Sequence, residues 1–220
     1  MSSTMTMRLI GGAALALLTA CGNQSEDQRS ASPIGIAQQA AEQIIAERRA
    51  ASQPQAPAKT PEQMAAEALR VNPGPLILAG LESTGANQVM AMTGDNGGMR
   101  TYMTPNEQAL ILRGGMLIGT RGLGNDISVI EAGTEPLIRA RSAGNGPRVL
   151  RYYSGDGLER PLSFDCSVAA GPNPGVMIES CQGHGLTFQN NYLVQGNQIP
   201  VSRQWAGPGL GYVTIQTIRP

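Results

Sequence analysis

The chain has 220 residues, with 16 basic and 16 acidic side chains, so its formal net charge is zero. Such a balance supplies no long-range field to gather nucleic acid or an anionic membrane surface, and no nucleic-acid partner is expected. Charged residues are 15% of the chain, below the usual ~25%, while 28 glycines and 15 prolines favour many turns.

Residues 1–7 carry no acid and Arg8 supplies the positive charge of a signal-peptide n-region. The uncharged apolar run 9–18 is too short to span a bilayer, which takes about 20 such residues, but suits a signal-peptide core. Leu18-Thr19-Ala20-Cys21 then has the form of a lipobox: small side chains fit the peptidase and the Cys21 thiol accepts lipid. The alternatives are an ordinary signal peptide cut near Ala20, or a buried helix with a chance cysteine. Read as a lipoprotein, the chain loses residues 1–20 and is held to a membrane through acyl chains on Cys21, each buried CH₂ contributing about 0.8 kcal/mol. Gly22 rather than Asp after the cysteine favours the outer membrane by the enteric rule.

Residues 21–74 read as a tether with one or two short helices. Residues 22–32 are small and polar, with the composition of a disordered segment. Ser32-Pro33 signals a helix start and 34–51 is rich in Ala, Gln and Glu; a Pro-containing linker at 53–60 follows. Thr60-Pro61-Glu62-Gln63 repeats the cap signal, with a helix to about Val71. The apolar stripes are weak, favouring a semi-ordered spacer over a coiled coil. As a coil the arm would reach about 40 Å.

Every aromatic residue lies at Tyr102 or beyond, so the core belongs to residues 75–220. There, short apolar runs alternate with glycine-bearing turns. Strands are expected near 76–78, 89–93, 100–104, 109–113, 116–120, 148–154, 158–168, 176–181, 186–194, 199–205 and 212–218, with Gly114-Gly115 as a two-residue hairpin. The fold class is mainly β, an antiparallel sandwich or barrel-like sheet preceded by a helical, partly disordered arm.

Cys166 and Cys181 flank the turn-forming run Ala170-Gly171-Pro172-Asn173-Pro174-Gly175, whose centre is also theirs. A hairpin closing there sets them opposite each other, and an exported chain meets an oxidising environment, which favours a disulfide. A metal site or catalytic thiol are the alternatives, but His184 is the only histidine and no Cys-x-x-Cys pair exists. No metal or cofactor is expected. His184, in Gly183-His184-Gly185, reads as a turn residue, with no Gly-x-Ser-x-Gly elbow to serve. Asp126, Glu131, Glu159, Asp165 and Glu179 show no spacing that nominates a catalytic pair. The glycine-rich runs 119–124 and 207–211 lack Rossmann or P-loop context and read as tight turns. No enzyme is indicated.

Leu110-Ile111-Leu112-Arg113-Gly114-Gly115-Met116-Leu117-Ile118-Gly119-Thr120-Arg121-Gly122-Leu123-Gly124-Asn125-Asp126-Ile127 resembles the strand–turn–strand and TRGLG-D segment of the YjbF/GfcB family of capsule and exopolysaccharide lipoproteins. Phe188-Gln189-Asn190-Asn191-Tyr192 and Val201-Ser202-Arg203-Gln204-Trp205-Ala206-Gly207-Pro208 resemble the family's C-terminal pattern. The likeness covers about 75–218, departing from the family at Tyr102, where a tryptophan is usual, and in a longer arm. It implies a non-enzymatic, mainly β, periplasm-facing outer-membrane lipoprotein, associated with surface polysaccharide and with other envelope proteins of an export pathway. It supplies no catalytic residues.

Two contact sites follow from the residues. Strand alternation puts Arg203 and Trp205 on one face, where a ring beside a guanidinium can hold an acidic sugar; alternatively Trp205 is core and Arg203 bonds a carbonyl or carboxylate. Arg121 lies among glycines that permit close approach, with Asp126 placed to orient it or to cap a turn. Besides the polymer-handling accessory, two readings stand: a scaffold docking an outer-membrane protein by an exposed sheet edge, and a cell-wall glycan hydrolase.

Overall fold

A computed structural model describes residues 59–153 and 158–220, together with Glu42, Gln43 and Ile45, which are helical and exposed. The expected signal peptide, Cys21 and most of the tether lie outside the described residues. The chain divides into two units, Met1–Pro57 and Ala58–Pro220, and the second holds the whole sheet.

Helix α1 (Pro61–Val71) begins with the capping box foreseen at Thr60 and Gln63. It is docked on the sheet: Ala68 is buried, and Arg219 at the chain's other end donates to the Leu69 and Asn72 carbonyls. Those are carbonyls at the helix C-terminus, which have no partner inside the helix and which a cation satisfies well.

Twelve strands follow: β1 (Leu76–Leu81), β2 (Ala86–Asn96), β3 (Met99–Met103), β4 (Ala109–Arg113), β5 (Met116–Arg121), β6 (Ile127–Ala132), β7 (Gly144–Tyr153), β8 (Glu159–Ala170), β9 (Val176–Gly183), β10 (Leu186–Gln195), β11 (Gln198–Trp205) and β12 (Tyr212–Arg219). A short helix, α2 (Glu135–Ala140), joins β6 to β7. All pairings are antiparallel, in the order β5-β4-β3-β2-β1-β12-β11-β10-β9-β8-β7-β6. The mainly β, barrel-like expectation holds. Strand β6 and helix α2 were not foreseen.

The terminal strands β5 and β6 are consecutive in sequence and lie side by side, so the sheet curls into a nearly closed barrel. Among the described residues no backbone ladder joins them; side chains do the joining. The Ile127 N–H donates to Thr120 Oγ1 at 3.0 Å, and Arg121 Nη1 donates to the Ile127 carbonyl at 2.9 Å. Farther along β5, the Leu117 N–H donates to Gln204 Oε1 at 3.0 Å, while Gln204 Nε2 donates to the Gly115 carbonyl at 2.9 Å. Gln204 thus supplies, from β11, bonds that a neighbouring strand would have made.

Strand β5 is buried on both faces from Met116 to Thr120. Leu117 belongs to an apolar cluster containing Leu110, Ile127, Phe164, Phe188 and Trp205; Met116 and Ile118 belong to another with Ile138, Val168, Met177, Tyr192 and Ile199. The turn before it makes this possible. Gly114 and Gly115 have φ of 53° and 87°, and a Cβ on Gly115 would lie 2.0 Å from the Ile199 carbonyl oxygen. Glycine is required there for the turn and for the approach to β11.

Cys166 and Cys181 are directly opposed on β8 and β9, Cα atoms 4.1 Å apart, and form a disulfide. The cross-link closes a separation of 15 residues, for which chain entropy gives a contribution of about 3 kcal/mol. Replacing both cysteines by alanine is expected to lower unfolding free energy by about that amount in urea titrations. Gln204→Ala, which strands the Leu117 N–H and Gly115 carbonyl, is expected to cost about 1–3 kcal/mol in the same measurement.

Candidate functional site

Alternation along β9 points Met177, Glu179 and Cys181 inward, and along β10 Phe188, Asn190, Tyr192 and Val194. Glu179 and Asn190 therefore form a polar stratum between the two apolar clusters. Glu179 is fully buried and receives four donors: Arg148 Nη1 at 2.9 Å, Tyr192 Oη at 2.9 Å, Asn190 Nδ2 at 2.7 Å and the Thr134 hydroxyl. Asn190 Oδ1 in turn accepts the Trp205 N–H at 2.6 Å. Burial pushes the Glu179 carboxyl up, but the Arg148 guanidinium and the hydrogen bonds outweigh it and hold the group below the usual carboxylate range. Burial likewise raises Tyr192, keeping its hydroxyl protonated to donate. A network buried this completely is structural, although Arg148 Nε and Nη2 have no hydrogen-bond partner among the described residues. Glu179 also lies near the two cysteine sulfurs, but these are bonded to each other and offer no thiolate to a metal.

Arg121 and Asp126 are brought close but form no ion pair among the described residues. Asp126 folds the 122–125 loop back on itself, accepting the Gly122 N–H at 2.7 Å, the Leu123 N–H at 3.1 Å and the Thr120 hydroxyl at 2.9 Å. Arg121 spans the barrel seam through the Thr120 and Ile127 carbonyls. The geometry matches the turn-capping alternative for Asp126 and gives Arg121 a seam-closing role.

Arg203 and Trp205 do not share a face, contrary to strand alternation. Strand β11 ends at Trp205, whose ring turns inward and stacks on Phe188 with centroids 4.2 Å apart. Arg203 stays outside, bidentate to Glu82 at 2.6 and 2.7 Å, its guanidinium 3.4 Å above the centre of the Tyr212 ring. Its hydrogen bonds hold Glu82 below the usual carboxylate range. His184 sits in the β9–β10 turn with φ of 53°, its Nε2 accepting the Ser163 N–H at 3.1 Å.

Arg203 and Tyr212 border a broad groove on the outer face of the sheet, with a cavity volume of about 950 Å³. It opens where β11 parts from the first half of β10: strand pairing begins only at Asn191–Arg203, and the Gln189 N–H donates instead to the Tyr212 hydroxyl at 3.2 Å. The floor carries Ser167, Ser180, Gln182, Thr187, Gln189 and Asn191. Among the described residues Asp165 is its one carboxylate, and Arg203, its one cation, is already paired. The polar positions alternate with buried ones in Asp165-Cys166-Ser167 and Ser180-Cys181-Gln182, so their direction is legible in sequence. That they share a groove is not, because it depends on the splaying of β11.

The family described as "YjbF: Group 4 capsule polysaccharide lipoprotein gfcB, YjbF" matches residues 38–218. Among solved structures, the hypothetical lipoprotein YmcC from Escherichia coli (K12) is similar in fold. Its TM-score is 0.60 at 16% identity, with 72% of this chain and 90% of that chain covered. No curated protein matches the sequence.

Glu179→Gln is expected to lower unfolding free energy by about 3–5 kcal/mol at neutral pH, because Arg148 is left charged and buried. The unfolded chain protonates its carboxyl first as pH falls, so the stabilisation from Glu179 is present above the ordinary value of about 4.3 and is lost through the lower folded value. Urea titrations over this acid range are expected to show a shallower pH dependence for Glu179→Gln than for the natural chain.

Proposed function

This chain belongs to the YjbF/GfcB family of group 4 capsule polysaccharide lipoproteins, and from that premise we propose that it is a non-catalytic accessory factor in producing or exporting a surface polysaccharide. Lipid on Cys21 holds it at the outer membrane, facing the periplasm, and the segment between Cys21 and helix α1 sets how far the barrel stands from the bilayer. The observation that carries this reading is the open groove. It offers hydroxyl and amide side chains over a wide surface, as a polymer-handling protein needs, and among the described residues its lining holds a single carboxylate where glycoside hydrolysis ordinarily takes two. The scaffold reading, docking an outer-membrane protein by a free sheet edge, has less support. Strands β5 and β6 face each other, with edge groups bonded by Thr120, Arg121 and Gln204.

Deleting the gene is expected to reduce surface polymer several-fold, with restoration by the natural chain. Cys21→Ala is expected to leave the protein made but unanchored, and polymer output low. Unchanged polymer in the deletion strain, quantified by sugar analysis of the cell surface, overturns the reading.

A further inference from the structure

We propose that the outer-face groove is a binding site for a neutral, hydroxyl-rich glycan segment lying across strands β7 to β10. The ligand's source rests on the polysaccharide reading above; its chemistry comes from the groove itself.

Strand register arranges the polar side chains in rows. Asn145, Ser167, Ser180 and Gln189 are successive partners across β7, β8, β9 and β10. Asp165, Gln182 and Thr187 form a second row beside it. Neighbouring members of a row are separated by the strand spacing, about 4.8 Å, on the order of the length of one sugar ring. A glycan laid along the rows therefore meets a hydrogen-bonding side chain at each ring.

The lining chemistry selects among ligands. Hydroxyls and amides both donate and accept, which matches sugar hydroxyls, themselves donors and acceptors. Asn145, Ser167, Gln182, Thr187 and Asn191 make no side-chain hydrogen bond among the described residues and are free to bind, whereas Gln189 Nε2 donates to Ser180 Oγ at 3.0 Å and that pair keeps its own bond or exchanges it. A polyanion finds little here: Arg203 is held by both oxygens of Glu82, and Asp165 repels it. The Arg203 guanidinium, flat over Tyr212, forms a planar wall at one end of the groove. The volume of about 950 Å³ is near the upper end of the roughly 300–1,000 Å³ common for ligand clefts, and an open groove of that size accommodates several rings.

The test uses the full chain in detergent, titrated by NMR with neutral cellohexaose and maltohexaose, with anionic hexagalacturonate, and with the surface polymer purified from the producing strain. Shift changes on β7–β10 with a neutral glycan are expected, weakened at least tenfold by Gln182→Ala with Asn191→Ala. Asn106→Ala, in the β3–β4 turn, is expected to bind as the natural chain does. Both groove positions face outward, so urea midpoints should match and separate lost binding from lost folding. No neutral glycan binding, shifts confined elsewhere, binding only of hexagalacturonate, or full affinity in the double variant each overturn the inference. If deletion of the gene lowers polymer while the natural chain binds no neutral glycan, the groove assignment falls and the accessory role stands. If a neutral glycan occupies the groove but deletion changes no polymer, the reverse holds.

Discussion

Glu179 is a charged group in the middle of an apolar interior, and much of the barrel is arranged around its oxygens. An uncompensated carboxylate at that depth costs several kcal/mol, so its donors must be in place for the fold to be stable. Those donors come from β7, from β10 and from Thr134 at the start of α2. The same Asn190 that donates to Glu179 accepts from the Trp205 backbone, which carries the constraint to β11. The apolar clusters above and below fix which face turns inward, and this stratum adds a directional constraint on the register of the strands that meet it.

Closure of the barrel follows the same logic with neutral groups. Two edge strands placed together without a ladder leave backbone donors and acceptors that burial would otherwise penalise. Thr120, Arg121 and Gln204 answer them individually. The two sequence blocks that resemble the YjbF/GfcB pattern thus meet in space: the first supplies the seam and the Gly114-Gly115 turn, the second the glutamine that reaches β5. Their clearest job in this molecule is architectural. The outer groove takes Gln189, Asn191 and Arg203 from the second block and most of its other polar side chains from β7, β8 and β9 between the blocks.

Strand-by-strand reading of the sequence recovered most of the sheet because alternation and glycine turns are local signals. It missed β6, which lies between a glycine-rich loop and Gly133, and α2, whose six residues are too few for a helical period. The cysteine pairing was visible because the turn centres on it. Glu179 was read only as one carboxylate among several: it shares the register of Met177 and Cys181, but its partner Arg148 is 31 residues away and no local pattern connects them. Trp205 shows where alternation stops being informative: it still pairs with Tyr212 of β12, but on its other side β11 has left β10, its N–H goes to Asn190 Oδ1, and the ring turns to Phe188.

The reach of Gln204 to Leu117 spans 87 residues, and Arg219 reaches back 150 residues to the Leu69 carbonyl. β1 likewise waits for β12. Strands that depend on such distant partners pair slowly, because the connecting chain must be ordered before the contacts reward it. In a chain that emerges amino end first, β5 appears with its apolar Met116-Leu117-Ile118 stretch long before β11 is there to receive it. The runs β1–β5 and β6–β12 pair consecutive strands and can form in order, but β1 meets its partner only when β12 is present, so the barrel closes last of all. Until then the strand that will be the most deeply enclosed is the most adhesive part of the chain, and successful biogenesis depends on keeping it from its neighbours for that interval.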